Sequence, residues 1–227
     1  MTEKKKKDNA LVNVLVNVVI PSVIMIKYST PETLGEVRGL IIALSFPLLY
    51  GAWDFIKERK INLFSALGLL SVLLTGGIGL LQLDRRWMIA KETAIPFFMG
   101  VFVLATLRAK KPLLMTFFNE ILDLEKLENA YSETGHSGEF ETQLKSSSKL
   151  LGYSFFFSAA LNFGLAITIL KGEPGSQEFT ESLGRMTALS FPVITLPMMV
   201  VVGYILWQLF HQIKMRTNRD IEDFIRK

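Results

Sequence analysis

The chain has 227 residues, no cysteine and two histidines, and its formal net charge is +4. Half of the residues are hydrophobic and the mean hydropathy is +0.35, which is high for a soluble domain of this length. The lack of cysteine excludes disulfides, thiolate metal sites and cysteine nucleophiles, and two histidines are too few for a typical zinc or haem centre. We therefore expect no cofactor.

Six apolar segments approach the length that crosses a bilayer, whose hydrocarbon core of about 30 Å needs roughly 20 helical residues. They are Leu11–Ile26, Gly39–Phe55, Leu63–Leu81, Ala94–Leu107, Leu150–Leu170 and Thr187–Leu209. The fourth is short unless its helix begins near Met88. Buried helices of a soluble protein could account for one or two such segments, but not for six. The sequence therefore predicts an all-α, polytopic membrane protein with six transmembrane helices.

The first predicted span follows a basic segment, residues 1–10, in a pattern similar to a secretory signal peptide. Asn13 and Asn17 interrupt the apolar run, however, and no convincing small-x-small cleavage motif precedes Lys27. We favour an uncleaved first helix over a cleaved signal.

The pentapeptide ALSFP occurs twice, at 43–47 and 188–192, each time 26 positions after an asparagine, Asn17 or Asn162. Such self-similarity predicts that helices one and two and helices five and six are two copies of one hairpin. With the hairpin of helices three and four, the copies would form a pseudo-symmetric bundle of three hairpins.

Polar side chains in the predicted spans are amides and hydroxyls, and they are candidates for a central polar cavity. The set is Asn13, Asn17, Ser45, Thr75, Asn162 and Ser190. Asn13 and Asn17 share one helix face. Hydrogen bonds between helices, contributing on the order of 1 kcal/mol or less each, are the simpler explanation. A cavity between Asn17 and Asn162 is the alternative.

Prolines and glycines mark places where the predicted helices bend or approach one another. Kinks are expected at Pro21, Pro47, Pro96, Pro192 and Pro197. Matching kinks suit either packing or gating, and the nearby hydroxyls of Ser45 and Ser190 could bond back to their own helices. The glycines Gly76, Gly77 and Gly79 favour a close helix contact.

Acidic and basic groups avoid the centres of the predicted spans, which argues against proton-coupled transport. Asp84, Lys91 and Glu92 are predicted to be charges of a short outer loop between helices three and four.

The long connection 108–149 is predicted to be cytoplasmic. Its first half has an amphipathic helical pattern with the apolar positions Leu114, Phe117, Phe118, Ile121, Leu124 and Leu127. This helix would lie on the membrane surface or beneath the bundle. Tyr131–Ser148 is predicted to be a flexible loop. The charged tail Lys214–Lys227 is predicted to extend the last helix into the cytoplasm as a solvated helix end.

The basic residues predict the orientation, because 18 of the 25 lysines and arginines lie on the side of both termini. Both termini are therefore expected in the cytoplasm. The predicted organisation is a basic amino terminus (1–10), helices one to four (11–107), the cytoplasmic connection (108–149), helices five and six (150–210) and the tail (211–227). The net charge is attributed to this topology and to contact with membrane lipids, not to nucleic-acid binding.

From Asn62 to about Ile169 the chain carries motifs in a recognisable order. They are Gly76-Gly77, Leu81-Gln82-Leu83-Asp84, Trp87, Lys91, Lys110-Lys111-Pro112-Leu113 and Ala160-Leu161-Asn162. In this order they resemble the intracellular septation protein A family of bacterial inner-membrane proteins. The resemblance implies a role in cell-envelope synthesis and division, among membrane partners, and implies no catalytic residue. The twin ALSFP segments, the long 131–148 segment and the basic amino terminus depart from the family pattern and indicate a divergent branch.

Two functions follow as hypotheses. The first is a non-enzymatic inner-membrane accessory in envelope biogenesis or division, acting through contacts with lipids and with envelope or division proteins. The alternative is a small transporter or facilitator of a neutral or lipid-like solute that uses a cavity between the repeated hairpins. An enzyme is disfavoured because no paired base and nucleophile or metal set is evident. Whether the chain forms homo-oligomers is left open.

Overall fold

The computed structural model describes residues 12–58, 63–108 and 112–226, with side chains omitted at 54, 55, 57, 58 and 63–66. The basic segment 1–10 and Lys110–Lys111 of the family motif lie outside the described residues. The described chain is helical, and in it an isolated antiparallel bridge joins Leu122 and Ile225. The helices are α1 (Val12–Tyr28), α2 (Glu36–Glu58), α3 (Leu63–Leu80), α4 (Arg85–Thr106), α5 (Leu113–Ile121), α6 (Leu124–Glu133), α7 (Glu139–Ile169) and α8 (Gln177–Thr217).

Three described helices, α4, α7 and α8, are long and apolar enough to cross a membrane. This agrees with the predicted all-α class and is compatible with a membrane location. Helix α1 and the Leu67–Leu80 part of α3 are apolar but shorter.

Proline positions coincide with wide helical turns in two helices. Helix α1 contains π-helical turns at Leu15–Val19 and Ile24–Tyr28 on either side of Pro21. In α8, the π-helical segment Phe191–Thr195 contains Pro192. A proline lacks the backbone donor of a regular turn, so a wider turn accommodates it. Pro47 and Pro96 lie inside the α-helical turns of α2 and α4, and Pro197 follows the π segment of α8.

The two ALSFP copies therefore differ in local structure. The first lies wholly inside α-helical α2, whereas the second ends in the π segment of α8. Helix α2 and the Gln177–Ser190 part of α8 contact each other, and α1 contacts both.

By its internal contacts the chain divides into two compact units. The first comprises the described residues up to 95 together with 160–195. Its buried core consists of Met25, Leu40, Ala43, Ile78, Met88, Ala166, Leu170, Phe179, Leu183 and Met186. Helices approach closely at Gly184, where an added Cβ would lie 2.8 Å from the Cβ of Met25.

The second unit comprises the described residues between 96 and 159 and from 196 to 226. Its buried core consists of Phe118, Leu122, Leu127, Ala130, Tyr131, Phe140, Leu144, Ile205, Leu209, Ile213 and Phe224. Helices α4 and α7 approach so closely that a Cβ on Gly100 would lie 3.0 Å from the carbonyl oxygen of Gly152.

The structure corrects the prediction of one continuous amphipathic helix after residue 112. The helix breaks at Leu122 and Asp123, which separate α5 from α6. The carboxyl-terminal residues satisfy the backbone groups at this break: Asp123 N–H donates to the Phe224 carbonyl (2.8 Å) and Arg226 N–H to that of Ile121 (3.0 Å). Paired backbone groups remove the penalty that an interrupted helix would otherwise carry.

The predicted solvated tail is wrong at its end, for the same reason. After α8 ends at Thr217, a 3₁₀ turn at Ile221–Phe224 leads the chain back onto α5 and α6. Phe224 is fully buried in the core of the second unit. The Arg226 guanidinium donates to the Leu122 carbonyl (3.1 Å) and to Asn119 Oδ1 (3.0 Å). The end of the tail is therefore packed through Phe224, although the described charged residues of the tail are exposed.

The predicted flexible loop Tyr131–Ser148 is wrong over most of its length. Helix α6 continues to Glu133, and α7 begins at Glu139 after a turn in which Gly135 and Gly138 have positive φ. Phe140 and Leu144, one helical turn apart, are buried in the second unit. The segment is otherwise polar, so the sequence offered little sign that these two apolar side chains would be buried on one face of a helix.

Candidate functional site

The hairpin of α3 and α4 ends in a tight turn that determines where α4 begins. Gln82 adopts a positive φ of 51° in this turn. Asp84 then caps α4, because its Oδ1 accepts a hydrogen bond from the backbone N–H of Arg86 at 2.7 Å. The Arg85 guanidinium donates to the Leu170 carbonyl at 3.0 Å. Helix α4 thus starts nine residues before Ala94, the predicted start of the fourth span.

This early start corrects the prediction that Asp84, Lys91 and Glu92 are charges of one loop. Asp84 is the cap in the turn, whereas Lys91 and Glu92 lie inside α4. Lys91 follows Arg85 by six residues, which places it about 9 Å along the helix from its first residue.

The ammonium group of Lys91 is buried, with a side-chain exposure of 5%. Its Nζ lies 2.6 Å from Glu92 Oε1 and donates to Thr75 Oγ1 at 2.7 Å and to Ser71 Oγ at 3.4 Å. Thr75, on α3, is itself buried and donates to the Ser71 carbonyl at 2.9 Å. We call Ser71, Thr75, Lys91 and Glu92 the lysine cluster.

Electrostatics explain why these groups lie together. A buried ammonium without a partner loses its hydration, and the loss far exceeds the value of a surface ion pair. The Glu92 carboxylate supplies the opposite charge and the two hydroxyls accept the remaining N–H bonds. The cluster is thus locally neutral and nearly saturated.

The lysine cluster brings together residues for which the sequence predicted different positions. Thr75 was predicted to line a cavity, and Lys91 and Glu92 to lie in a loop. Ser71 was missed, although its position four residues before Thr75 puts it on the same helix face.

The other residues predicted to line a central cavity differ in their exposure and in their hydrogen bonds. Asn13 is exposed, Asn17 is half-buried, and Asn162 is half-buried with a partner in the structure. Ser45 Oγ donates to the Ile42 carbonyl at 2.7 Å and Ser190 Oγ to the Met186 carbonyl at 2.8 Å. Both hydroxyls therefore bond back to their own helices, which is the simpler of the two alternatives weighed for them.

The predicted close-packing glycines differ in what surrounds them. A Cβ on Gly79 would collide with the Leu40 side chain, and one on Gly76 would lie 3.4 Å from Leu44 Cδ1. Gly77 has open space at the same position. The close contact at Gly100 and Gly152 was missed, since neither residue belongs to a glycine-rich motif.

Within the described part of the chain, no group of three or more His, Cys, Asp or Glu side chains could hold a metal ion. Comparisons with protein families, with curated proteins and with solved structures find no match to the chain.

Proposed function

We propose that this protein is a non-enzymatic protein of the bacterial inner membrane that supports envelope biogenesis or division through contacts with lipids and membrane partners. The supporting observation is how its long apolar helices distribute their side chains. Large apolar groups point outwards, including Trp87, Phe98 and Val200 at 62%, 65% and 72% exposure. The buried charge of α4 is enclosed by its own partners in the lysine cluster. Such helices offer apolar contact surface and no unpaired reactive group at that position.

The finer arrangement is part of the same proposal. Six transmembrane helices would form a pseudo-symmetric bundle of three hairpins, with both termini in the cytoplasm. The six apolar segments, the ALSFP repeat and the distribution of basic residues support it. The contact between α2 and the amino-terminal part of α8, which carry the two copies, fits a paired arrangement of the repeats.

Membership of a divergent branch of the septation protein A-like family remains a proposal on the ordered motifs between Asn62 and Ile169. Asp84 of that motif series caps α4, and Lys91 occupies the centre of the lysine cluster. The motif residues therefore have structural tasks in this chain, which supports a role through contacts.

The direct test is in-membrane cross-linking followed by purification of the full chain and identification of the bound proteins. We expect envelope-synthesis or division proteins to be enriched over a bystander membrane protein of similar abundance. A photo-cross-linker at Phe98 should capture them, and one at buried Met88 should not. Capture at both positions alike, or at neither, would contradict the proposal.

A second candidate is a facilitator of a neutral solute, favoured by the hydroxyl pair Ser71 and Thr75 beside Lys91 within apolar helices. Proteoliposomes containing the chain would then swell in glycerol faster than empty liposomes, and Thr75→Val would slow the swelling. Equal rates with and without protein would exclude a facilitator of glycerol-sized solutes.

A further inference from the structure

The second unit contains a groove between α7 and α8. Helix α7 contributes Thr142, Gln143, Ser146 and Ser147, and helix α8 contributes Gln208, Leu209 and Gln212. The cavity measures about 150 Å³. A second cavity of about 380 Å³ shares Thr142 and Gln143 and extends towards Ser137 and Glu139. We call the first cavity the amide groove.

Six of the seven side chains that line the amide groove are polar and uncharged, and the seventh is the apolar Leu209. The buried apolar residues of α7 and α8 in this unit, among them Leu144, Ile205 and Ile213, belong to its core. Beside them, three glutamine side chains and three hydroxyls line the groove, and of these Thr142 and Ser146 are exposed. A molecule in the groove would therefore meet amide and hydroxyl groups next to the apolar side chain of Leu209.

Several of these groups have unused hydrogen-bonding capacity. Ser147 is only 4% exposed, and its hydroxyl makes no hydrogen bond with any described residue. Gln208 and Gln212 likewise make none within the described ranges, although both are half-buried. Buried polar groups almost always have a partner, from protein, water or ligand.

Gln143 is oriented by a neighbour behind it. The Tyr131 hydroxyl donates to Gln143 Oε1 at 3.0 Å. Burial raises the pKa of Tyr131 to about 12, so the phenol stays protonated and remains a donor. With its carbonyl occupied, the Gln143 amide has its N–H groups left to donate.

The charges near the groove compensate one another. Glu139, which lines the adjoining cavity, lies 3.1 Å from Arg216 Nε and 2.9 Å from His136 Nδ1. With its own charge partnered, this carboxylate offers little to attract an ion. The groove therefore provides amide and hydroxyl groups in a setting without a free charge.

We propose that the amide groove binds a small uncharged molecule rich in hydroxyl groups, of the size of a polyol or a monosaccharide. Amides and hydroxyls each donate and accept, so they match vicinal hydroxyls, and Leu209 offers an apolar face to the carbon skeleton. A volume of about 150 Å³ corresponds to roughly five waters, the scale of such a ligand. The same chemistry occurs in free polyols and in the sugar head group of an uncharged glycolipid. This proposal does not depend on the proposed function.

The test uses the full chain in nanodiscs of uncharged phospholipid and saturation-transfer NMR with glucose and erythritol as probes. We expect saturation transfer to both probes from the wild-type protein. The double variant Gln208→Leu/Gln212→Leu should weaken binding at least about tenfold, and Ser147→Ala about fivefold, as one lost hydrogen bond predicts. Ser148→Ala is the matched control: Ser148 is the next residue and its hydroxyl is fully buried and unpaired, but it does not line the groove.

Two further experiments determine whether the ligand is uncharged and whether it is a free polyol or a lipid head group. Glycerol phosphate should bind at least about tenfold more weakly than erythritol. Nanodiscs containing a glucosyl diacylglycerol should displace free glucose if the natural ligand is a lipid head group, and leave it bound if the ligand is a free polyol. Three results would overturn the proposal: no transfer to either probe, equal binding by the Ser147→Ala and Ser148→Ala variants, or preferential binding of the anion. Ser147→Ala is conservative enough to fold even where the double variant does not.

Discussion

The ammonium of Lys91 lies in a helix long and apolar enough to cross a membrane, yet it has a carboxylate at 2.6 Å and a hydroxyl at 2.7 Å. The partners come from its own helix and from the preceding one. Removing one partner leaves the other charge buried and unpaired, which costs more than the pair contributes when intact. At the scale of single residues, the lysine cluster is therefore a coupled unit.

We expect Glu92→Gln to lower the free energy of unfolding by about 3 kcal/mol, because it strands the Lys91 charge. Lys91→Met combined with Glu92→Gln should be less destabilised than Glu92→Gln alone. Denaturant unfolding in detergent, arranged as a double-mutant cycle, measures this coupling. Additive effects of the two substitutions would show that the ion pair is not an energetic unit.

The raised pKa of Tyr131 predicts that the second unit becomes less stable at alkaline pH. Burial raises its pKa from 10.0 to about 12. Between these values the unfolded chain releases the proton while the folded chain keeps it. The contribution of Tyr131 to stability is therefore constant below about pH 10 and falls by about 2–3 kcal/mol towards pH 12. Unfolding measured across this range should show the decline, and Tyr131→Phe should remove it. A decline that persists in Tyr131→Phe would assign it to another group.

Packing between helices is the next level of organisation, and a glycine allows α4 and α7 to come close together. Gly152 meets α4 so closely that an added Cβ would lie 2.5 Å from Leu104 Cδ2. Gly203, in α8, has open space where its Cβ would be. The same substitution should therefore have opposite effects at the two sites.

We expect Gly152→Ala to destabilise the protein by about 1–3 kcal/mol through overpacking. Gly203→Ala should be neutral or stabilise it by up to about 1 kcal/mol, since alanine favours the helix. Thermal unfolding of both variants in the same detergent makes the comparison. Equal effects would mean that α4 and α7 do not pack this closely in the membrane.

The carboxyl-terminal residues are a second determinant at the scale of elements. Phe224→Ala should destabilise the second unit by about 3 kcal/mol, because it empties a fully buried aromatic site. Ile225→Ala is the control, since Ile225 is 48% exposed. Hydrogen exchange should show faster opening of α5 and α6 in the first variant and little change in the second. Unchanged exchange in Phe224→Ala would indicate that the tail is not a structural part of the unit.

For the molecule as a whole, the proposed topology makes a clean labelling experiment possible, since the chain has no cysteine. Ser132→Cys, in α6, should be protected from a membrane-impermeant maleimide added to intact spheroplasts. Glu173→Cys, between α7 and α8, should react. Lysis should make both react, and the cysteine-free parent should stay unlabelled. The reverse pattern would place the termini outside.

Much of the helical content was predictable because it follows from local pattern. The predicted apolar segments 94–107, 150–170 and 187–209 correspond to helices of membrane-spanning length at 85–106, 139–169 and 177–217, although the predicted ends were misplaced. Ends were missed where a cap or a tertiary contact sets them. Asp84 starts α4 by accepting one backbone hydrogen bond, and the break after α5 depends on residues about 100 positions further along the chain.

The sequence by itself determined the helical class and the apolar character of the long helices, since both arise from residue composition and periodicity along a short stretch of chain. Only the tertiary structure decided which polar side chains meet. Thr75 and Lys91 lie 16 residues apart and on different helices, so no local pattern reveals that the ammonium of one bonds the hydroxyl of the other. The packed tail and the amide groove likewise depend on contacts between distant segments, whose energies become visible only when the helices are in place.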